Sequence, residues 1–91
     1  MVAPDRQSTI TKSIQQFLID SGFTISHTIR NYKNSVIIEN NRDGGYSFQV
    51  LIIDNMVELR LIDFISSLIF SADLSDPSCF DNLVSAINTA L

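Results

Sequence analysis

Between Tyr46 and Asp63 the chain reads as two β-rich runs joined by Asp54-Asn55, and this stretch constrains the fold most. Two turn-forming residues between such runs signal a hairpin, though Asn at the second position is a weaker signal than Gly. A two-residue turn predicts the pairs Ile53 with Met56, Ile52 with Val57, Val50 with Leu59, Phe48 with Leu61 and Tyr46 with Asp63. Directly opposed side chains share a face. One face then carries Tyr46, Phe48, Val50, Ile52, Val57, Leu59 and Leu61. The other carries Ser47, Gln49, Leu51, Ile53, Met56, Glu58, Arg60 and Ile62. A slip of one residue would mix the two sets, so turn and pattern support one register.

A helix is predicted ahead of the hairpin, from about Ser8 to Ser21. Ile10, Ile14, Phe17 and Leu18, with Ile19 at the margin, make its apolar stripe, and Thr11, Lys12, Gln15 and Gln16 take the polar side. Gly22 is a natural C′ stop, and Phe23 is placed to fold back on the helix end. Phe23 to Arg30 alternates with period two and predicts a half-buried strand, with Phe23, Ile25, His27 and Ile29 on one face. Asn31 to Asn34 reads as a turn. Ser35 to Asn40 reads as a second strand with Val36 and Ile38 inward and Ile37 and Glu39 outward. Asn41 to Gly45 reads as a loop.

Beyond the hairpin, Phe64 to Ser75 reads as a fifth strand after a turn at Ser66-Ser67. Leu68, Phe70, Ala72 and Leu74 alternate there with Ile69, Ser71 and Asp73. Ile62, Ile65, Ile69 and Ala72 also fit one helical face, so both readings stand at this point. Asp76-Pro77 then places a capping residue before a proline at the first turn of a helix. Phe80, Leu83, Val84, Ile87, Ala90 and Leu91 form its stripe.

The fold class that follows is α+β: a two-layer sandwich of a four- or five-stranded antiparallel meander, with an N-terminal and a C-terminal helix on one face. At 91 residues this is one domain, 1–91. Such a chain buries roughly 60–65% of the surface its unfolded form exposes. Cys79 stands alone, so no internal disulfide forms; a reducing compartment, and by default the cytoplasm, is expected. Asp5 and Arg6 interrupt the place where a secretory leader would need an apolar core. No apolar run nears the ~20 residues of a membrane span.

The formal net charge of −4 disfavours nucleic acid and anionic membrane at long range. His27 reads as a histidine at the edge of the core. Cys79 reads as a small buried thiol, although a helix N-terminus can lower a cysteine pKa. Asp63, Asp73, Asp76 and Asp81 do not have the spacing of a calcium loop, and capping accounts for Asp76 and Asp81 without a metal. Gly44-Gly45 precedes a strand, so it is a turn rather than a phosphate cradle. No cofactor, metal or catalytic residue is assigned, and the chain is expected not to be an enzyme.

Two surfaces remain as binding candidates. Leu51, Ile53, Met56 and Ile62, joined by Ile37, lie on the sheet face opposite the core. Several apolar residues there predict a covered surface, either under one of the helices or in a protein interface. The second candidate is the basic and aromatic set Arg30, Tyr32, Lys33 and Arg42 around the second strand, which suits phosphate contact and base stacking.

The helix–meander–helix order is similar to that of double-stranded RNA-binding domains, but those begin their last helix with lysines where this one is acidic. The small acidic α+β make-up is also similar to that of secretion-chaperone-like domains. That likeness implies dimerisation and the holding of partner segments, and it carries over no functional residue. The expected function is a non-enzymatic interaction module, an adaptor, chaperone or regulator. Its expected partner is a second copy of the chain or another protein, not a membrane or a small-molecule substrate. A nucleic-acid accessory role is the alternative.

Overall fold

The computed structural model describes residues 6–32, 35–62 and 66–90. In order they form α1 (Arg6–Asp20), a 3₁₀ turn (Phe23–Ile25), β1 (His27–Tyr32), β2 (Ser35–Asn40), β3 (Phe48–Ile53), β4 (Met56–Ile62), β5 (Ser66–Asp73) and α2 (Cys79–Ala90). The strands make one antiparallel sheet in the order β1-β2-β3-β4-β5. Each strand pairs with its neighbours in sequence, so no crossover is needed. The predicted α+β arrangement is the observed one, with all five strands present.

The register of the β3–β4 hairpin follows from its pattern. Ile53 pairs with Met56, Ile52 with Val57, Val50 with Leu59 and Phe48 with Leu61. Asp54 carries the turn at φ 54°, a left-handed conformation that Asp tolerates better than most residues. The strand pair is shorter at its open end than predicted. Tyr46 lies outside β3, half exposed, and Asp63 lies outside the described residues.

α1 packs against β1, β2 and β3, and α2 packs against β5 and α1. Ile14 and Leu18 of α1 and Leu83 and Ile87 of α2 are fully buried on Val36, Ile38, Phe48, Val50, Val57 and Leu59 of the sheet. Thr11, predicted on the polar side, is buried. It precedes Ile14 by three residues, so the two lie on one side of the helix.

Gly22 ends α1 in the left-handed conformation (φ 89°), and its N–H donates to the carbonyl of Ile19 (3.1 Å). The predicted strand from Phe23 is corrected here. The N–H groups of Ile25 and Ser26 donate to the carbonyls of Gly22 and Phe23 (3.3 and 3.2 Å), which curls the chain before pairing starts. Phe23 is buried in either geometry, so alternation could not expose the difference; Ile25, predicted inward, is 90% exposed. The ladder begins at His27 with Asn40 and ends at Tyr32 with Ser35. Asn31 and Tyr32 therefore belong to β1 rather than to the turn, and Lys33 and Asn34 lie outside the described residues.

β5 also departs from simple alternation. Its ladder with β4 shifts between Leu59 and Arg60: Leu59 pairs with Phe70, but Arg60 pairs with Leu68. Ile69 is the extra residue of a β-bulge, which turns Leu68 to the face away from the helices. Ser66 and Ser67 pair with Ile62 and Leu61 as part of the strand, not as a turn.

Asp76 caps α2 as predicted. Its Oδ1 accepts the N–H of Ser78 (2.9 Å), and its carbonyl accepts the N–H of Cys79 (3.0 Å). Pro77 thus sits in a tight first turn before the regular helix. Leu91, predicted on the α2 stripe, lies outside the described residues.

Candidate interaction face

Both helices cover one face of the sheet, and among the described residues nothing covers the other. Pairing aligns the residues of this outer face in rows across the strands. One row runs Arg30, Ile37, Gln49, Arg60 and Leu68. The next runs Tyr32, Ser35, Leu51, Glu58 and Ser71. Ile53 and Met56 stand together at the hairpin tip beside Asp73.

The five predicted interface residues are therefore brought together. Ile53 and Met56 are 46% and 38% exposed, and Ile37, Leu51 and Ile62 are half-buried within the face. The structure adds two that the sequence pattern did not supply. Leu68, 50% exposed, reaches this face only through the bulge, and Tyr32, 55% exposed, stands at its β1 corner. The signal for Leu68 was the adjacent pair Leu68-Ile69, where two large apolar residues break a period-two pattern.

The arginines of the outer face are paired within the chain, while the Asp73 carboxylate beside Met56 is held by Ser75 and Asn55. Arg60 donates through Nε and a terminal amine to Glu58 Oε1 (3.2 and 3.0 Å), and the pair is partly buried in mid-sheet. Arg30 bonds Glu39 at 3.0 Å in a more exposed setting. Ser35 is buried beneath this surface. Its hydroxyl donates to the Tyr32 carbonyl (2.7 Å) and accepts from Gln49 Nε2 (3.1 Å). A shallow hollow of about 370 Å³ lies between Arg30, Tyr32, Ile37, Glu39, Ser47 and Ile62.

The predicted basic set is not gathered in one patch. Arg30 is mid-strand and ion-paired. Arg42 lies in the loop after β2, at the opposite end of that six-residue strand from Tyr32 and the β1–β2 turn. Lys33 lies outside the described residues. The loop holding Arg42 is braced: Arg42 N–H donates to Asn40 Oδ1 (2.9 Å), and Gly45 N–H donates to the Arg42 carbonyl (3.1 Å).

His27 is buried at 2% exposure. Nδ1 lies 2.7 Å from Ser26 Oγ, and Phe23 packs edge-on against the ring. Burial holds the imidazole pKa below its ordinary value, opposed by the Tyr46 backbone. Cys79 is buried at the first residue of α2. It is the small buried thiol that the sequence suggested, and the helix terminus does not lower its pKa: burial, then the charges of Asp76 and Asp73, push the thiol up. His27 on β1 and Cys79 beside β5 stand toward opposite edges of the inner layer.

Asp73 accepts the N–H and hydroxyl of Ser75 (2.8 and 2.7 Å) and Asn55 Nδ2 (2.6 Å), and the Ser75 bonds hold its carboxyl below the usual range. Among the described residues no three metal-ligating side chains converge. Among them also, no helix is long and apolar enough to cross a membrane. No protein-family model matches the sequence, and no curated protein or solved structure matches it either.

Proposed function

We propose that this chain is a non-enzymatic interaction module, cytoplasmic in setting, that pairs with a second copy of itself through the outer face of its sheet. The observation that carries this reading is the apolar set Ile37, Leu51, Ile53, Met56, Ile62 and Leu68 on a face that neither helix covers. An antiparallel sheet with one solvated face ordinarily places polar residues there.

Charge supports a second copy as the occupant. The chain is acidic overall, yet Glu58 and Glu39 each have an arginine on the same face. Away from Asp73 at the hairpin tip, two copies can therefore approach there without strong like-charge repulsion. Burying Arg60 beside Glu58 leaves neither charge without its partner, which is the costly case. A two-fold pairing of identical surfaces closes by itself and leaves no open end.

Area sets the expected strength. Five strands at ~4.8 Å spacing and six residues at ~3.3 Å rise give a face of roughly 480 Å². A standard interface buries about 800 Å² per partner, so a concentration-dependent dimer is expected rather than an obligate one.

The test is a double substitution, Ile53→Glu with Met56→Glu, followed by sedimentation at several concentrations. Both side chains are exposed at the hairpin tip, so the circular dichroism spectrum should be unchanged while self-association is lost. Association of the variant equal to that of the wild type would discard the reading.

A further inference from the structure

The helical side of the molecule carries a second apolar surface of different character. A hollow of about 550 Å³ lies between α1 and the start of α2, lined by Thr9, Ile10, Ser13, Leu74 and Phe80. A second, of about 300 Å³, continues from it past Phe17 to Asp76, Pro77 and Asp81. Both are lined by Leu74 and Phe80, so the two hollows adjoin there and together make an apolar trough on this side. Phe17 meets Phe80 edge to face, ring centroids 5.4 Å apart. Ile10, Leu74 and Phe80 pack on the core with one side and remain partly exposed on the other, and Phe17 is half-buried against Phe80.

The charge of this trough is the reverse of the balance on the sheet. On the outer face each arginine has its glutamate. Here Asp76 and Asp81 line the wall, and neither enters an ion pair among the described residues. Asp76 uses one oxygen on the Ser78 N–H, which is a cap and not a neutralising cation. Lys12 is exposed on α1, one residue before Ser13.

We propose that this trough takes an amphipathic helix of a partner protein, with apolar anchors on Leu74 and Phe80 and lysine or arginine flanking them toward Asp76 and Asp81. From Thr9 to Phe17 the α1 wall is roughly 12 Å long at ~1.5 Å per residue, which matches about two turns of a docked helix. A helix in an apolar groove is read through anchors at i, i+3 or i+4, and i+7. The flanking cations would meet two carboxylates that enter no ion pair among the described residues, which favours a basic segment over an acidic one of equal apolarity. This surface is separate from the sheet face, so the two stand or fall independently.

The experiment uses the whole chain and a synthetic helix with leucine at i, i+3, i+4 and i+7 and lysine elsewhere. A counterpart with glutamate for lysine is the control. Binding is followed by fluorescence anisotropy at low ionic strength and located by backbone amide shifts. The variant pair Asp76→Asn with Asp81→Asn keeps the cap, because Asn caps as well as Asp. The pair Asp20→Asn with Asp43→Asn removes the same net charge elsewhere. The lysine peptide should bind, shift Thr9, Ser13, Leu74 and Phe80, and lose about tenfold in affinity with the first pair only. No binding of the lysine peptide, equal loss with both pairs, equal binding of the glutamate peptide, or shifts confined to other surfaces would overturn the proposal.

Discussion

Gly22 and His27 show how single residues fix the edge of this fold. Gly22 has no neighbour within 4 Å of where a Cβ would stand, so only its backbone makes glycine necessary. Gly22→Ala should cost about 1–2 kcal/mol from the left-handed conformation alone. In a domain of this size each kcal/mol lowers the melting temperature by roughly 4–8 °C. An unchanged melting temperature would remove that account of the helix stop. His27 makes a pH prediction. Its folded pKa lies below the ordinary value of 6.5, so the unfolded chain binds a proton more readily. The neutral ring contributes its full stability above the unfolded value. That contribution falls as pH drops below 6.5 and is exhausted once pH passes below the folded value. His27→Gln should flatten this part of a urea-stability profile between neutral and mildly acid pH. Asp73 also loses a contribution in acid, but lower, because its folded pKa is depressed below 3.8.

Among the elements, α2 depends on its first turn and β5 on its bulge. Asp76→Ala should destabilise the domain by about 1 kcal/mol and Asp76→Asn by far less, measured by denaturant unfolding. The bulge separates two substitutions that plain alternation would treat alike. Leu68→Lys, on the outer face, should change stability by no more than about 0.5 kcal/mol. Phe70→Lys, packed on the core, should cost about 2–3 kcal/mol. Similar losses for both would contradict the register shift. The sequence was most informative where period and turn chemistry coincided. The β3–β4 register could be read from Asp54-Asn55 and the two apolar sets, because only one register keeps the sets apart. It was least informative where a side chain is buried in two geometries. Phe23 faces the core whether it opens a strand or sits in a 3₁₀ turn. Leu68 illustrates the other limit: an unpaired residue such as Ile69 reverses the face of its neighbours, and the only local sign of it is the adjacent apolar pair Leu68-Ile69. The predicted interface set was legible because faces follow from register. The basic set failed to gather because loops that flank one strand lie at its two ends.

At the scale of the whole molecule, two apolar surfaces differ in their electrostatics, and salt should separate them. Self-association through the sheet face, whose arginines pair within each chain, should change little with added salt. Capture of a basic helix at Asp76 and Asp81 should weaken as screening rises. The most direct test of the central claim is intermolecular methyl contact in a mixed sample of labelled and unlabelled chains, measured by filtered nuclear Overhauser spectroscopy. Contacts from Ile37, Leu51, Ile53, Met56, Ile62 and Leu68 to the unlabelled copy are predicted. A chain that stays monomeric at the concentrations of that experiment, or contacts arising instead from Ile10, Leu74 or the exposed Ile25, would contradict the assignment of the outer sheet face as the interface.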